Sequence, residues 1–97
     1  MAKHEHPVQS QLQSGFNTII NHKHLWDGMS LQNAAMLWSE KNQNQIILQF
    51  EEGAVVIYLL PNGKWRAVGS LNEHTMAAKA LVDGLSFLKE DTQWITL

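Results

Sequence analysis

Five histidines are the residues of this chain best suited to chemistry: His4 and His6 in a His-Glu-His triplet, His22 and His24 in a His-Lys-His triplet, and His74 alone. A pair of imidazoles two residues apart supplies at most two metal ligands, whereas a structural site needs three or four that converge. The chain has no cysteine, which excludes a thiolate metal site, a disulfide framework and a thiol nucleophile. A metal centre and a bound cofactor are therefore not expected. One weaker chemistry remains at the start of the chain. With Met1 removed, Ala2-Lys3-His4 would offer an α-amine, two amide nitrogens and the His4 imidazole, a square-planar set suited to adventitious Cu(II) or Ni(II).

Catalytic motifs are missing from the sequence: it has no Gly-rich phosphate loop, no nucleophile elbow and no His-Glu-x-x-His helix. Glu51 and Glu52 are adjacent, so in a strand they point to opposite faces, and at a hairpin corner they are solvated. The expectation is a protein that is not an enzyme. Four tryptophans could form aromatic platforms. Trp26 and Trp38 are expected to anchor helix junctions and core, and Trp94 the tail, because large aromatics in a small domain mostly pack. Trp65 is set apart by its expected place on a sheet face beside Tyr58.

These residues must be positioned by a single α+β domain. Ninety-seven residues with 44% hydrophobic content can bury one core without metal or disulfide support and leave no room for a second. Seven Lys and Arg against nine Asp and Glu give no overall electrostatic footprint for a phosphate backbone. No apolar run approaches the roughly 20 residues that span a bilayer, and MAKHEHPVQSQ lacks the apolar stretch of a signal peptide. A cytoplasmic protein is expected.

Residues 1–6 are expected to fray, and Pro7 to open a helix running to about Asn21 on the stripe Val8, Leu12, Phe16, Ile19 and Ile20. Trp26-Asp27-Gly28 reads as a turn. Ser30 caps a second predicted helix with Leu31, Ala34, Ala35 and Trp38 on its apolar face, broadened by Met36 and Leu37 and broken by Asn42 to Asn44. Gln45 to Ser70 then predicts a three-stranded antiparallel meander. A last helix packs through Ala77, Ala80, Leu81, Gly84, Leu85 and Leu88, with Asn72 or Thr75 available as its cap. Thr92 to Leu97 is expected to be a short extended segment. The predicted order is α-α-β-β-β-α.

Register follows from the turns. A type I′ turn at Asn62-Gly63 pairs Leu60 with Trp65, Tyr58 with Ala67 and Val56 with Gly69. A two-residue turn at Glu52-Gly53 pairs Phe50 with Val55, Leu48 with Ile57 and Ile46 with Leu59. Alternation then sorts the side chains. A core face holds Ile46, Leu48, Phe50, Val55, Ile57, Leu59 and Val68, with Arg66 at its margin. The second face holds Ile47, Gln49, Glu51, Val56, Tyr58, Leu60, Trp65 and Ala67.

The order helix, three antiparallel strands, helix between Ser30 and Lys89 resembles the double-stranded-RNA-binding domain. Members of that family carry a KKxAK cluster opening the last helix; here the segment is Thr75-Met76-Ala77-Ala78-Lys79, which matches at Ala78 and Lys79. Their first inter-strand loop has Gly-Pro-x-His, where this chain has Glu51-Glu52-Gly53. The resemblance implies a nucleic-acid surface that includes Lys79, without two of the family's contact regions. On a three-stranded sheet that inserts into DNA, Lys64 and Arg66 are the cations available, so the nucleic-acid alternative rests on Lys64, Arg66 and Lys79.

The leading expectation is different: a small non-enzymatic interaction or regulatory protein working through Ile47, Val56, Tyr58, Leu60 and Trp65. A patch this apolar is either covered within the chain or binds something. Its cover would be the first helix, giving a three-layer monomer, or another protein, with a two-fold homodimer as the favoured case.

Overall fold

The computed structural model describes residues 7–38 and 44–96, with side chains from 8 to 38 and from 44 to 88. It is an α+β structure in the order α-β-β-β-β-α. Helix α1 is Pro7–Asn21, followed by a 3₁₀ turn Lys23–Trp26; the strands are β1 Leu31–Leu37, β2 Asn44–Phe50, β3 Gly53–Leu59 and β4 Trp65–Ala67; helix α2 is Ala77–Thr96. The strands form one sheet in the order β1-β2-β3-β4, every neighbouring pair antiparallel.

Helix α1 has the expected bounds and stripe. Leu12 and Ile19 are fully buried, Phe16 and Ile20 pack against the core, and Val8 at the first turn stays 40% exposed. The turn at Asp27-Gly28 also forms, with the Met29 N–H returning to the Trp26 carbonyl at 3.0 Å. Trp26 is buried as expected, its ring 6.2 Å from that of Phe50.

The predicted second helix is instead the edge strand β1. Its register slips between Leu31 and Asn33, so that Leu31 faces Phe50 while Ala34 faces Leu48 and Met36 faces Ile46. This bulge puts Leu31, Ala34 and Met36 on one side of the sheet, and the three-residue step from Leu31 to Ala34, where the extra residue interrupts the period of two, matches the opening of the helical stripe expected at Leu31, Ala34, Ala35 and Trp38. The helix that would open the RNA-binding topology at Ser30 is therefore not there. The break expected at Asn42 and Gln43 lies outside the described residues.

The β2–β3 hairpin pairs Phe50 with Gly53, Leu48 with Val55 and Ile46 with Ile57, a shift of two from the expected register. The turn residues are thus Glu51 and Glu52, neither of which takes a positive φ. A shift of two preserves the faces. The β3–β4 hairpin is displaced by one, with Leu59 opposite Trp65, Tyr58 opposite Arg66 and Ile57 opposite Ala67. Its turn is a three-residue loop. The Gly63 N–H bonds the Leu60 carbonyl at 2.9 Å, the Leu60 N–H bonds the Lys64 carbonyl at 2.8 Å, and only Gly63, at φ 85°, is left-handed. Pro61 decides this: its fixed φ near −65° suits the first central position of a type I turn, and Gly63 then takes the left-handed bulge position. A displacement of one exchanges faces. Trp65 and Ala67 enter the core, 3% and 0% exposed, and Val68 turns out to 52%.

Both helices cover the same side of the sheet, α1 over β1 and β2 and α2 over β3 and β4, and they touch each other. The three-layer arrangement, with α1 across the second face, is not adopted. Leu12, Ile19, Ile46, Leu48, Ile57 and Leu81 are fully buried in one cluster, each contributing about 1.5–3 kcal/mol over an exposed position. The α2 stripe is as expected, and Gly84 lets the helix close on Val55, whose Cγ1 would be 2.6 Å from a Cβ there. The helix continues through Thr96, so residues 92–96 of the expected extended C-terminal segment are instead the last turn and more of α2. The Trp94 side chain lies outside the described residues.

Candidate functional site

The sheet surface opposite the helices is the best candidate. Pairing orders it into three rows. Asn33, Gln49 and Ala54 make the first, Ala35, Ile47 and Val56 the second, and Leu37, Gln45, Tyr58 and Arg66 the third. Val68, whose N–H bonds the Val56 carbonyl at 2.9 Å, extends the middle row. That row is wholly apolar, and the rows beside it carry amide, phenol and guanidinium groups. None of these residues is fully buried, Leu37 and Val68 are about half exposed, and no described element lies over them. Apolar centres with polar margins are the usual anatomy of protein interfaces.

Of the expected face residues, Ile47, Val56 and Tyr58 are on this surface. Leu60 lies past the end of β3 in the hairpin turn, half-buried. Trp65 is on the other side, beneath α1. The alternative set does not gather on one surface: Lys64 is exposed in the turn, Arg66 is on the open face beside Tyr58, and Lys79 is exposed on α2 in the helical layer. Sequence reading missed Ala35, Leu37 and Val68, the first two because β1 read as a helix and the third because the hairpin was out by one.

A polar cluster joins the loop after β4 to α2. The buried Ser70 donates its hydroxyl to Asp83 Oδ2 at 2.5 Å, His74 Nε2 donates to the same oxygen at 3.2 Å, and the Asn72 N–H donates to Ser70 Oγ at 3.0 Å. The Ser70 and His74 hydrogen bonds hold the Asp83 carboxyl below its ordinary pKa, against a smaller opposing effect of burial. His74 also exchanges backbone hydrogen bonds with Trp65, at 2.7 and 2.8 Å. Serine, histidine and aspartate together invite comparison with a nucleophilic triad, but the connectivity differs. A triad needs histidine between serine and aspartate; here both donate to one carboxylate oxygen, and the serine is spent on it. The arrangement is a clasp. The one part legible in the sequence is Ser70-Leu71-Asn72, a serine turn.

Among the described residues no three His, Asp or Glu side chains gather to hold a metal. His22 and His24 sit edge to face with centroids 5.5 Å apart, and His22 Nδ1 lies 2.6 Å from the Thr18 carbonyl. His4 and His6, with the Ala2-Lys3-His4 set, lie outside the described residues. A hollow of about 290 Å³ between α1 and the start of α2 is floored by Trp65 and lined by Gln11, Ser14, Thr18 and Met76, with no titratable group. No described helix is long and apolar enough to cross a membrane. Comparison with protein-family models, curated proteins and solved structures returns no match.

Proposed function

We propose that this chain is a non-enzymatic protein-interaction module, cytoplasmic, whose working surface is the open face of the sheet. The observation that carries this reading is the continuous apolar row Ala35, Ile47, Val56 and Val68, left uncovered by any described element while both helices occupy the other side. Bare aliphatic rows of this kind are costly in water and mark binding surfaces. The partner is a protein with a complementary apolar strip, a second copy of the chain included. The polar margins of Gln45, Gln49, Tyr58 and Arg66 supply orientation more than affinity.

The experiment is photo-crosslinking in cells, with the reactive side chain placed at Val56 or, as a control, at Val82, which is 51% exposed on α2 and so more accessible than the half-buried Val56. Adducts at position 56 that are absent at 82, and that vanish with Ile47→Asp, are expected. A position 56 that forms no specific adduct would refute the reading.

A further inference from the structure

Among the described residues the sheet has one full-length edge, β1, and hydrogen bonding shows which of its groups are spare. Leu60 and Val56 bond to Lys64 and Val68 across the β3–β4 hairpin, so the even-numbered residues of β3 point their N–H and C=O toward β4. The odd-numbered residues point to β2, where they meet Phe50, Leu48, Ile46 and Asn44. Gln45, Ile47 and Gln49 are left to face β1, and their partners there are Leu37, Ala35 and Asn33. Ala34 and Met36 therefore direct their N–H and C=O outward, and among the described residues no backbone hydrogen bond outside the sheet reaches them. Soluble proteins commonly blunt such an edge with charges or proline. The strand LQNAAML has neither, and its bulge lies at the Leu31 end, leaving 33–37 regular.

We propose that β1 pairs antiparallel with β1 of a second copy, about a two-fold axis at Ala35. In that register Ala34 of each copy lies opposite Met36 of the other, and each exchanges N–H and C=O with its opposite. A small side chain meets a large one on the helical side of the sheet. There the core of a single chain is incomplete, since Leu31, Ala34 and Met36 are only partly buried while their neighbours on β2 are fully so. On the open side Ala35 meets Ala35, and the apolar row runs unbroken from Val68 of one copy to Val68 of the other.

Area argues for the same occupant. Three strands of about 20 Å and a β4 of about 10 Å, at a spacing of about 4.8 Å, give one open face a footprint of roughly 340 Å², short of the roughly 800 Å² each partner buries in a standard interface. Two copies joined edge to edge double it. The pairing stands whether or not the open face is a binding surface.

The test combines sedimentation equilibrium with amide hydrogen exchange on the full chain. In the wild type a dimer is expected, with Ala34 and Met36 amides protected like those of Asn33, Ala35 and Leu37. In Ala34→Pro, which removes an outward N–H and no β1–β2 bond, a monomer is expected, with exchange at Met36 faster by about tenfold or more and protection of Ala35 and Leu37 retained. Val56→Asp leaves this dimer intact, which separates the edge from the face. A wild type with fast exchange at Ala34 and Met36 overturns the proposal even if Ala34→Pro fails to fold. So does a dimer that survives Ala34→Pro, or protection that appears only when an extended peptide of another protein is added.

Discussion

The Trp65 indole lies against the backbone of Gly15: a Cβ placed on Gly15 would stand 2.6 Å from both Cη2 and Cζ2 of the ring and 3.1 Å from the Ala77 Cβ. Alanine ordinarily improves a helix over glycine by about 1 kcal/mol. Here the ring is rigid and enclosed, and overpacking costs about 1–3 kcal/mol. Gly15→Ala is therefore expected to lower the melting temperature. In a Trp65→Phe background, where those two ring carbons are gone, the same change should become neutral or stabilising. Thermal unfolding of the four proteins in a double-mutant cycle measures this, and a wild-type background stabilised by Gly15→Ala would contradict the contact.

Trp65 and Tyr58 are neighbours in the sheet but on opposite faces, so their truncations should differ sharply. Trp65→Ala removes a core aromatic and should cost about 3–5 kcal/mol. Tyr58→Ala, on the open face, should cost less than about 1 kcal/mol while altering any association through that face. Urea unfolding at low protein concentration compares them, and equal losses would mean that something in the chain covers the open face.

The contrast shows where the sequence was legible. Helix α1, the α2 stripe and the alternation of β2 and β3 could be read because apolar residues recur with one period over many residues. The two largest departures have single local causes. A bulge at the start of β1 set Leu31 and Ala34 three residues apart on one face, the spacing of a helical stripe. Pro61 turned an apparent two-residue turn into a three-residue one, and the single-residue displacement moved Trp65 from the candidate surface to the core. Ile47, Val56 and Tyr58 kept their face because the error in the first hairpin was even. The clasp of Ser70, His74 and Asp83 had no readable signal beyond its serine turn, since its members meet only through tertiary packing.

The β3–β4 turn makes its own test. Gly63 is left-handed at φ 85°, and its carbonyl accepts a hydrogen bond from Gln11 Nε2 at 2.6 Å. An L-residue with a Cβ pays about 1–2 kcal/mol in that conformation, and asparagine less than most. Gly63→Ala should destabilise by about that amount and Gly63→Asn by a smaller one, with the chemical shifts of Trp65 and Ala67 unchanged in both. A type I′ turn would give a different pattern, since Asn62 would then share the requirement and Asn62→Ala would cost as much as Gly63→Ala. Denaturant unfolding of the three variants distinguishes the turns.

The clasp makes stability depend on acid. Asp83 is ionised in the fold with a pKa lowered first by the Ser70 hydrogen bond and then by that of His74. A carboxyl whose pKa is lower folded than unfolded stabilises the fold fully above its unfolded value, about 3.9 for aspartate, and loses that contribution as pH falls through the depressed folded value. Replacing it with an amide removes the charge from two hydrogen bonds, each made to an ionised acceptor, so Asp83→Asn should cost about 1–3 kcal/mol at pH 7. Below pH 4 the gap between wild type and variant should narrow, because the wild-type carboxyl is then taking up its proton. Ser70→Ala should reproduce most of the loss at pH 7, since its hydroxyl supplies the largest share of the depression, and His74→Ala a smaller part. Chemical unfolding at intervals from pH 7 to pH 3 follows the gap. If it stays constant across that range, the charge on Asp83 contributes nothing, and the loop is held by the backbone bonds between Trp65 and His74.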